Sequence, residues 1–342
     1  KTAYEIPKRD WSSDVCSSDL FSSLEKSGQP KSVAGRIMAI RGQGAILFAV
    51  LDDGSISSAS GKTTVQAVIK KDTLSPDLFE LFTNAVDIGD IISVTGTFFT
   101  TQRGEESVLV TSWTMATKSL LPLPEKWHGL QDPDEKLRKR YLDFVMDPEL
   151  RDIFIKKAKF WSVTRKFFED QGFLEVETPT LEVSTGGAEA TPFKTHHNDF
   201  DMDVYLRISV GELWQKRLMA AGFPKTFEIG RVYRNEGTSP EHAQEFTNLE
   251  FYLAYANYQD GMDLVKQLYR LIATEVFGTT KFSYRGHDFD LAQDWQLIDY
   301  VNEIKKQTGL NIAEATDKQL KDKILELKLT YEGANRERFI DT

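Results

Sequence analysis

The chain has 342 residues, and its 40% hydrophobic and 11% aromatic content is typical of a globular protein with more than one core. The formal net charge of −10 argues against a sequence-independent nucleic-acid binder, although it is compatible with a local RNA-binding patch. No apolar run is long enough to cross a bilayer and no signal-peptide core follows residues 1–8, so we expect a cytoplasmic protein without a membrane segment.

Residues 1–30 are predicted to be an N-terminal segment outside the folded domains. Residues 10–20, DWSSDVCSSDL, are polar and of low complexity, which favours disorder. CSSDL also resembles the translation of a common sequencing-library adapter, so the alternative is that residues 10–20, or all of 1–20, are foreign to the natural protein. A single cysteine, Cys16, excludes an internal disulfide and a multi-cysteine metal site, and we assign it no function.

Residues 31–118 show short, β-branched runs separated by glycine turns, a pattern typical of strands. The predicted strands are VAGRIMAIR, AILFAVLDD, TTVQAVIKK, DIISVTGTFFTT and SVLVTSWTM. SPDLFELFTNAV, between the third and fourth strands, is predicted to be a helix. This order is that of an OB-fold, a barrel whose open face binds oligonucleotides, and another small β-barrel is the alternative.

Residues 119–145 are proline-punctuated and then charged, which predicts a linker, and residues 146–342 are mixed α and β. Helices are predicted over 149–170, 211–222, 259–277 and 297–306. Strands are predicted in FLEVETPTL, VYLRIS, KTFEIGRVYRNEG and QEFTNLEFYLAYA, with the glycine loop STGGAEA after the first. The fold class is therefore α+β.

The last two strands form a hairpin that could bind an anion. Arg231 and Arg234 are three residues apart, so strand alternation places them on opposite faces, and Arg234 lies nearest the turn. An arginine fork suits a carboxylate or phosphate. Phe246 could stack on a purine and Glu236 could accept from an exocyclic amine. The alternative is a surface hairpin with scattered ion pairs.

RVYRNEG followed by EFTNLEFY resembles motif 2 of class II aminoacyl-tRNA synthetases, and GFLEVETPTLE resembles motif 1, including its proline, Pro179. TKSLLPLPEKWHGLQDPDEKLRKRYLDF, TGGAEATPFKTHHNDFDMDVYLRI and the strand of Glu250 resemble bacterial lysyl-tRNA synthetases in particular. The resemblance runs from about Lys31 to the chain end. It implies an anticodon-binding OB-fold β-barrel followed by an incomplete class II antiparallel-sheet catalytic domain.

The resemblance also implies site roles. Arg234 would be catalytic, holding the ATP α-phosphate and the amino-acid carboxylate, while Glu236 and His242 would contact ATP and Phe246 would stack on adenine. The lysine-binding residues would be Gly187, Glu212, Arg234, Glu250 and Tyr252.

Charge supports lysine as the amino acid. The cationic lysine tail needs carboxylates, so Glu250 would attract lysine and repel aspartate. A glutamate that faces solvent or pairs with a neighbour is the alternative.

In the barrel, the resemblance implies that Arg36, Phe48 and Gln66 bind the anticodon of tRNA(Lys), although Phe48 could equally belong to the barrel core. Pro179 would lie at the interface of a homodimer. The implied reaction forms lysyl-adenylate from L-lysine and ATP with Mg²⁺ and then transfers lysine to tRNA. No glycine-rich motif 3 occurs by Thr342, so we expect the Mg²⁺ ligands outside this chain and little activity from it alone.

Three alternatives stay open. An aspartyl- or asparaginyl-tRNA synthetase shares the OB-fold but not the THH segment or Glu250. A paralogue that joins lysine-like groups to a protein lacks the OB-fold. The third is a non-catalytic OB-fold fragment that binds RNA.

Overall fold

The computed structural model describes residues 30–54, 64–102, 104–124, 129–239, 241–331, 333 and 335–342. Contacts divide the chain into two compact units, Lys1–Arg151 and Asp152–Thr342. Apart from Pro30, the prediction for residues 1–30 lies outside the described part. The division falls a few residues beyond the predicted boundary at 145/146.

The first unit contains a closed five-stranded barrel with strand order β1-β2-β3-β5-β4. Its strands are β1 Lys31–Gln43, β2 Ile46–Asp52, β3 Thr64–Lys70, β4 Ile91–Thr100 and β5 Glu106–Thr117. Helix α1, Pro76–Ala85, lies between β3 and β4. The predicted strands and helix are confirmed, and the parallel β3–β5 pair closes the barrel.

A β-bulge between Ile37 and Ala39 shifts the register of β1 against β2. Before the bulge, Ile37 faces the barrel core; after it, Ile40 packs against the core and Arg41 points outward. A bulge adds one residue to one strand and so reverses which residues face inward. Arg36 and Arg41 consequently lie on the same outer surface although they are five residues apart.

Helix α1 closes one end of the barrel. Ser75 caps it by accepting from the backbone N–H of Leu78, and Pro76 occupies the first turn, where no N–H is needed. Phe82 is buried and meets Trp113 of β5 edge to face at 5.3 Å. The indole N–H of Trp113 donates to the carbonyl of Leu78 at 3.1 Å, which satisfies its polar atom inside the core.

Asp90 is a fully buried carboxylate that joins the entry of β4 to the end of β5. Its oxygens accept from the backbone N–H groups of Asp87 and Ser119, each at 2.8 Å, and from Lys118 Nζ at 2.9 Å. Burial alone would raise the pKa of Asp90, but these hydrogen bonds and the Lys118 charge outweigh it and hold the pKa below its usual 3.8.

Two short helices, α2 Pro133–Arg138 and α3 Arg140–Met146, stand where the sequence predicts a charged linker. The N-cap Asp132 accepts from the N–H groups of Asp134 and Glu135, which begins α2. The long helix α4, Pro148–Asp170, confirms the predicted helix over 149–170.

The second unit is built on two three-stranded sheets of order β11-β10-β6 and β7-β9-β8, with a two-stranded β12–β13 hairpin. The strands are β6 Leu174–Glu175, β7 Leu181–Glu182, β8 Lys194–His197, β9 Met202–Leu206, β10 Lys225–Tyr233, β11 Glu245–Leu253, β12 Lys281–Tyr284 and β13 His287–Asp290. Helix α5, Glu212–Ala220, leads from β9 to β10.

The predicted single strand FLEVETPTL is wrong in detail. The segment forms two two-residue strands, β6 on β10 and β7 on β9, because it passes from one sheet to the other. Pro179 lies between them, where it has no N–H to give to a ladder.

The helices that follow differ slightly from the predicted bounds. Helix α6 covers Tyr258–Ile272 and continues as a π-helical turn over Ala273–Phe277, so the predicted 259–277 helix is not uniform. Helix α7, Tyr300–Thr308, begins later than residue 297 because Asp299 caps it. Helices α8, Asp317–Glu326, and α9, Arg336–Asp341, share a small core with α7 around Leu320, Ile324 and Phe339.

The antiparallel pair β10–β11 has one apolar and one polar face. Phe227 and Phe251 are directly opposite in the register, and their face packs on Phe168 of α4 and Leu268 of α6. Successive side chains alternate between faces, so the even-numbered residues of both strands turn away from these helices. This polar face carries the candidate site.

We predict that Asp90→Asn lowers the unfolding free energy of the barrel by about 1–3 kcal/mol, because an amide nitrogen would face the Asp87 N–H and Lys118. Urea unfolding of the full chain at pH 7 measures this, with the exposed Asp72→Asn as the control. Since the folded pKa of Asp90 is lowered, its contribution is present above pH 3.8 and is lost as pH falls through the folded pKa. The difference between Asp90 and Asn should shrink in acid; a difference that stays constant with pH contradicts the assignment.

Candidate active site

The polar face of β10–β11 brings together most of the residues expected in the catalytic site. Across the ladder Glu228 lies opposite Glu250, Gly230 opposite Asn248, and Val232 opposite Phe246. Residues opposite one another share a face, so the side chains of Phe246, Glu250 and Tyr252 lie in a row on β11. Arg234 follows the end of β10 with the same parity.

Arg234 is half-buried and held from two sides. Its backbone N–H donates to the Gln244 carbonyl at 2.8 Å, which closes the hairpin, and its Nε lies 3.4 Å from the Ile208 carbonyl. Its guanidinium carbon is 5.3 Å from the centre of the Phe246 ring, a cation–π distance. Arg231 lies on the other face and is 3.5 Å from the Glu245 carboxylate, as the alternation argument predicts.

The residues of the hairpin turn are exposed. Glu236 accepts from the backbone N–H of Thr191 at 3.1 Å, so it ties the turn to the loop before β8. His242 Nδ1 lies 2.7 Å from the Ser239 hydroxyl, which fixes the orientation of its ring. Both side chains face solvent and are open to a ligand, and their role in binding ATP stays a prediction.

The floor of the site is acidic. Glu250 accepts from the backbone N–H of Val210 at 3.0 Å, and the Tyr252 hydroxyl lies 3.5 Å from its other oxygen. Burial, then the charges of Glu250 and Glu212, and then the hydrogen bond to Glu250 raise the pKa of Tyr252 well above its usual value. The phenol is therefore neutral at pH 7, in a field of negative charge that a cationic ligand would relieve.

Glu212 begins α5 beside this floor and pairs with Lys216 one turn later. Gly211, the residue before the helix, has φ +66° and packs closely on Thr178, because an added Cβ would lie 2.2 Å from the Thr178 hydroxyl. The side chain of Glu212 is 24% exposed, so it can still meet a ligand.

Gly187 belongs to the glycine loop that lies against the start of α5. Its φ is +92°, and an added Cβ would lie 2.2 Å from the Ser209 hydroxyl and 2.4 Å from Glu212 Oε2. The family resemblance implies that Gly187 binds lysine, where the absence of a side chain would let the substrate backbone come close. In the structure, Ser209 and Glu212 occupy the space that a side chain at residue 187 would need, which by itself explains the glycine. The close approach of a substrate stays a prediction.

Sequence reasoning missed the buried residues behind this floor. Arg207 and Glu228, each 4% exposed, form an ion pair, and Thr178 donates to the second Glu228 oxygen at 2.6 Å. Glu182 is also buried; its burial raises its pKa, with Arg207 opposing and Glu228 adding to the shift. A charged residue within an otherwise apolar strand, such as Glu228 in KTFEIG, was the available signal.

In the barrel, Phe48 and Gln66 lie on neighbouring strands of the outer surface. Phe48 is half-buried and outside the inner core, which answers the barrel-core alternative. Gln66 is held by Glu105 at 2.8 Å and Ser107 at 3.1 Å. Arg36 donates to the Gly89 carbonyl and lies opposite Asp52, so the structure does not bring it to Phe48. The register instead places the exposed Arg41 opposite Phe48, and sequence reasoning missed it.

Pro179 is exposed on the segment between β6 and β7, near the exposed apolar side chains of Leu181 and Val183. Among the described residues, no group of three or more His, Cys, Asp or Glu could hold a metal ion. In the same part of the chain, no helix combines the length and apolar character needed to cross a membrane.

Comparison with known families agrees with this architecture. Residues 31–116 match the OB-fold nucleic acid binding domain, and residues 132–336 match the tRNA synthetases of class II (D, K and N). Since the second match covers more than half of the chain, the protein belongs to the class II tRNA synthetase family (D, K and N).

Curated relatives that are 43–46% identical to the chain are lysine–tRNA ligases. The chain is 46% identical over 291 residues to the lysine–tRNA ligase of Moorella thermoacetica, covering 85% of the chain and 57% of the relative. It is 45% identical over 288 residues to that of Pelotomaculum thermopropionicum, covering 84% and 55%. With the Clostridium perfringens lysine–tRNA ligase it shares 43% over 311 residues, covering 91% and 60%. The chain thus spans little more than half the length of these curated relatives.

We predict that Gly187→Ala disturbs the site more than an equally strained glycine elsewhere. Gly222 is the matched control: its φ is +97°, but nothing lies within 4 Å of an added Cβ. Both changes cost about 1–3 kcal/mol of backbone strain, and Gly187→Ala must in addition displace Ser209 and Glu212. Thermal unfolding with amide hydrogen exchange at 208–212 measures both effects; equal exchange in the two variants contradicts the prediction.

Proposed function

We propose that the protein acts as a lysine–tRNA ligase, which activates L-lysine with ATP and transfers it to tRNA(Lys). The observation that carries the proposal is the acidic floor formed by Glu250, Tyr252 and Glu212 beside Arg234. L-Lysine has two ammonium groups and one carboxylate. Glu250 and Tyr252 suit its side-chain ammonium, Glu212 suits its α-ammonium, and Arg234 suits its carboxylate.

In the first step the lysine carboxylate attacks the α-phosphorus of ATP, forms lysyl-adenylate and releases pyrophosphate. Two negatively charged groups must meet, so catalysis depends on positioning and on charge neutralisation. Arg234 serves both, because its half-buried guanidinium is fixed between the Ile208 carbonyl and the Phe246 ring. No side chain needs to act as a general base.

The remaining ATP contacts come from the hairpin. Phe246 offers a ring for adenine, and the exposed Glu236 and His242 can reach the nucleotide from the turn. Mg²⁺ would neutralise the phosphate oxygens. The described residues include no group of three His, Cys, Asp or Glu that could hold Mg²⁺. The roles assigned to this chain are therefore those of Arg234, Phe246, Glu236 and His242.

The OB-fold barrel is the proposed anticodon-binding module. Phe48 supplies a stacking surface, Gln66 a polar edge, and Arg41 rather than Arg36 the adjacent cation. The exposed apolar side chains around Pro179 support a homodimer interface in this region. We propose the cytoplasm as the compartment, since tRNA and ATP are available there.

We predict that Glu250→Gln lowers lysine-dependent ATP–pyrophosphate exchange by about 100-fold, since a carboxylate facing the ammonium is lost. Exchange is measured with lysine, aspartate and asparagine, using this chain and a chimera continued with the remainder of the Moorella thermoacetica relative. Glu245→Gln, exposed on the same strand, is the control. Exchange with aspartate, or none with any amino acid in either protein, would sink the proposal and favour an OB-fold RNA binder.

We predict that Phe48→Ala and Arg41→Met each weaken tRNA(Lys) binding by about tenfold or more, since one stacking or cation contact is lost. Arg36→Met should weaken it less, because the Arg36 side chain is bound to Gly89. Filter binding at fixed salt concentration measures the affinity, and lysine-dependent exchange should be unchanged in all three. Equal losses for Arg36 and Arg41 would contradict the assignment.

A further inference from the structure

Arg207 makes more contacts than a simple buried ion pair would need. It lies directly after β9, and its Nε donates to the Arg231 carbonyl at 2.8 Å. Its Nη1 pairs with Glu228 and lies 3.3 Å from the carbonyl of Thr178. A buried ion pair is costly unless the remaining hydrogen-bonding groups are satisfied. These contacts meet that requirement and join β10 to the segment between β6 and β7.

Gly230 makes room for the Arg207 guanidinium. It lies inside β10, where a glycine weakens a strand unless another group comes close to the backbone. A Cβ at Gly230 would be 2.2 Å from Arg207 Nη2. The guanidinium therefore lies against β10 between Glu228 and Arg231, in the space that is open because Gly230 has no side chain.

Glu228 lies close enough to Glu250 for their charges to interact. It is directly opposite Glu250 in the β10–β11 ladder, and opposed side chains have Cβ atoms about 4.5–5.5 Å apart. Two like charges in these positions repel. Arg207 neutralises Glu228. Among the described residues, the groups that donate to Glu250 are the Val210 N–H, the Asn248 amide and the Tyr252 hydroxyl, all of them uncharged. On this pair of strands, the uncompensated negative charge that a ligand meets is then that of Glu250.

Arg207 also begins the segment that positions the site. Its carbonyl accepts from the Tyr233 N–H at 3.0 Å and its own N–H donates to Thr180 at 2.9 Å, so both backbone groups are fixed. The next residues supply the Ile208 carbonyl to Arg234 and the Val210 N–H to Glu250. Glu212 ends the segment.

We propose that Arg207 is a positioning and specificity-determining residue: Arg207 and Glu228 neutralise each other, so the floor attracts a cationic side chain through the charge of Glu250. This inference rests on the proposed function, because it takes L-lysine as the ligand. Removing the Glu228 charge alone would leave the uncompensated Arg207 cation beside the ammonium. Removing both charges would return the net charge of these two positions to zero.

The test compares Glu228→Gln with the Arg207→Met/Glu228→Gln double variant. Calorimetric titration gives the dissociation constants for L-lysine and for (S)-2-aminoheptanoate, whose tail has the same length but no charge. Thermal unfolding checks that each variant is folded. Arg231→Met/Glu245→Gln is the matched control, since it removes an exposed ion pair from the other face of the same strands.

We expect Glu228→Gln to weaken lysine binding by about tenfold or more and aminoheptanoate binding by less than about twofold. The double variant should bind lysine more tightly than Glu228→Gln, and the control should match the unaltered protein. Equal losses for both ligands, or a double variant no better than Glu228→Gln, would overturn the charge role and leave Arg207 as structural support. If neither the unaltered chain nor its chimera binds lysine, the proposed function itself fails and this inference fails with it.

Discussion

The two-residue alternation of β10 and β11 is the constraint on which the catalytic unit depends. One face of this hairpin presents phenylalanines and leucines, which pack on α4 and α6 and stabilise the unit by removing apolar surface from water. The other face is thereby turned away from the helices and presents Glu228, Glu250, Tyr252 and Phe246 together. A register slip of one residue would turn these carboxylates towards the helices and the aromatic side chains away from them. The core therefore holds the site in place.

The carboxylates on this face repel one another, and they also form a binding site. The structure limits this repulsion by location: the deeper Glu228 is paired with Arg207, while the donors to the shallower Glu250 in the described part of the chain are uncharged. Burial raises the pKa values of both Tyr252 and Glu182; the charges of Glu250 and Glu212 add to the shift at Tyr252, whereas at Glu182 Arg207 opposes the shift and Glu228 adds to it. Such a site suits a cation better than an anion, which agrees with the lysine–tRNA ligases among its relatives.

The barrel shows how a local irregularity decides which arginine lies beside Phe48. Strict alternation along β1 would put Arg36 and Arg41 on opposite faces. The bulge after Ile37 puts both outward, and the Arg36 side chain is then engaged by the Gly89 carbonyl. Arg41 is left opposite Phe48, so the arginine beside the proposed stacking residue differs from Arg36, which the family resemblance selects.

The sequence by itself determined the order of elements, the OB-fold barrel and the parity that separates Arg234 from Arg231, because these follow from local periodicity and from distinctive motifs. The same periodicity places Glu250 and Tyr252, which are two residues apart, on one strand face. Only the tertiary structure decided which groups meet across elements: the division of FLEVETPTL between two sheets, the contact of Gly187 with Ser209 and Glu212, and the insertion of Arg207 against Gly230 beside Glu228. These contacts join residues far apart in the chain, and their energies depend on burial and on hydrogen-bond geometry, which no local pattern contains.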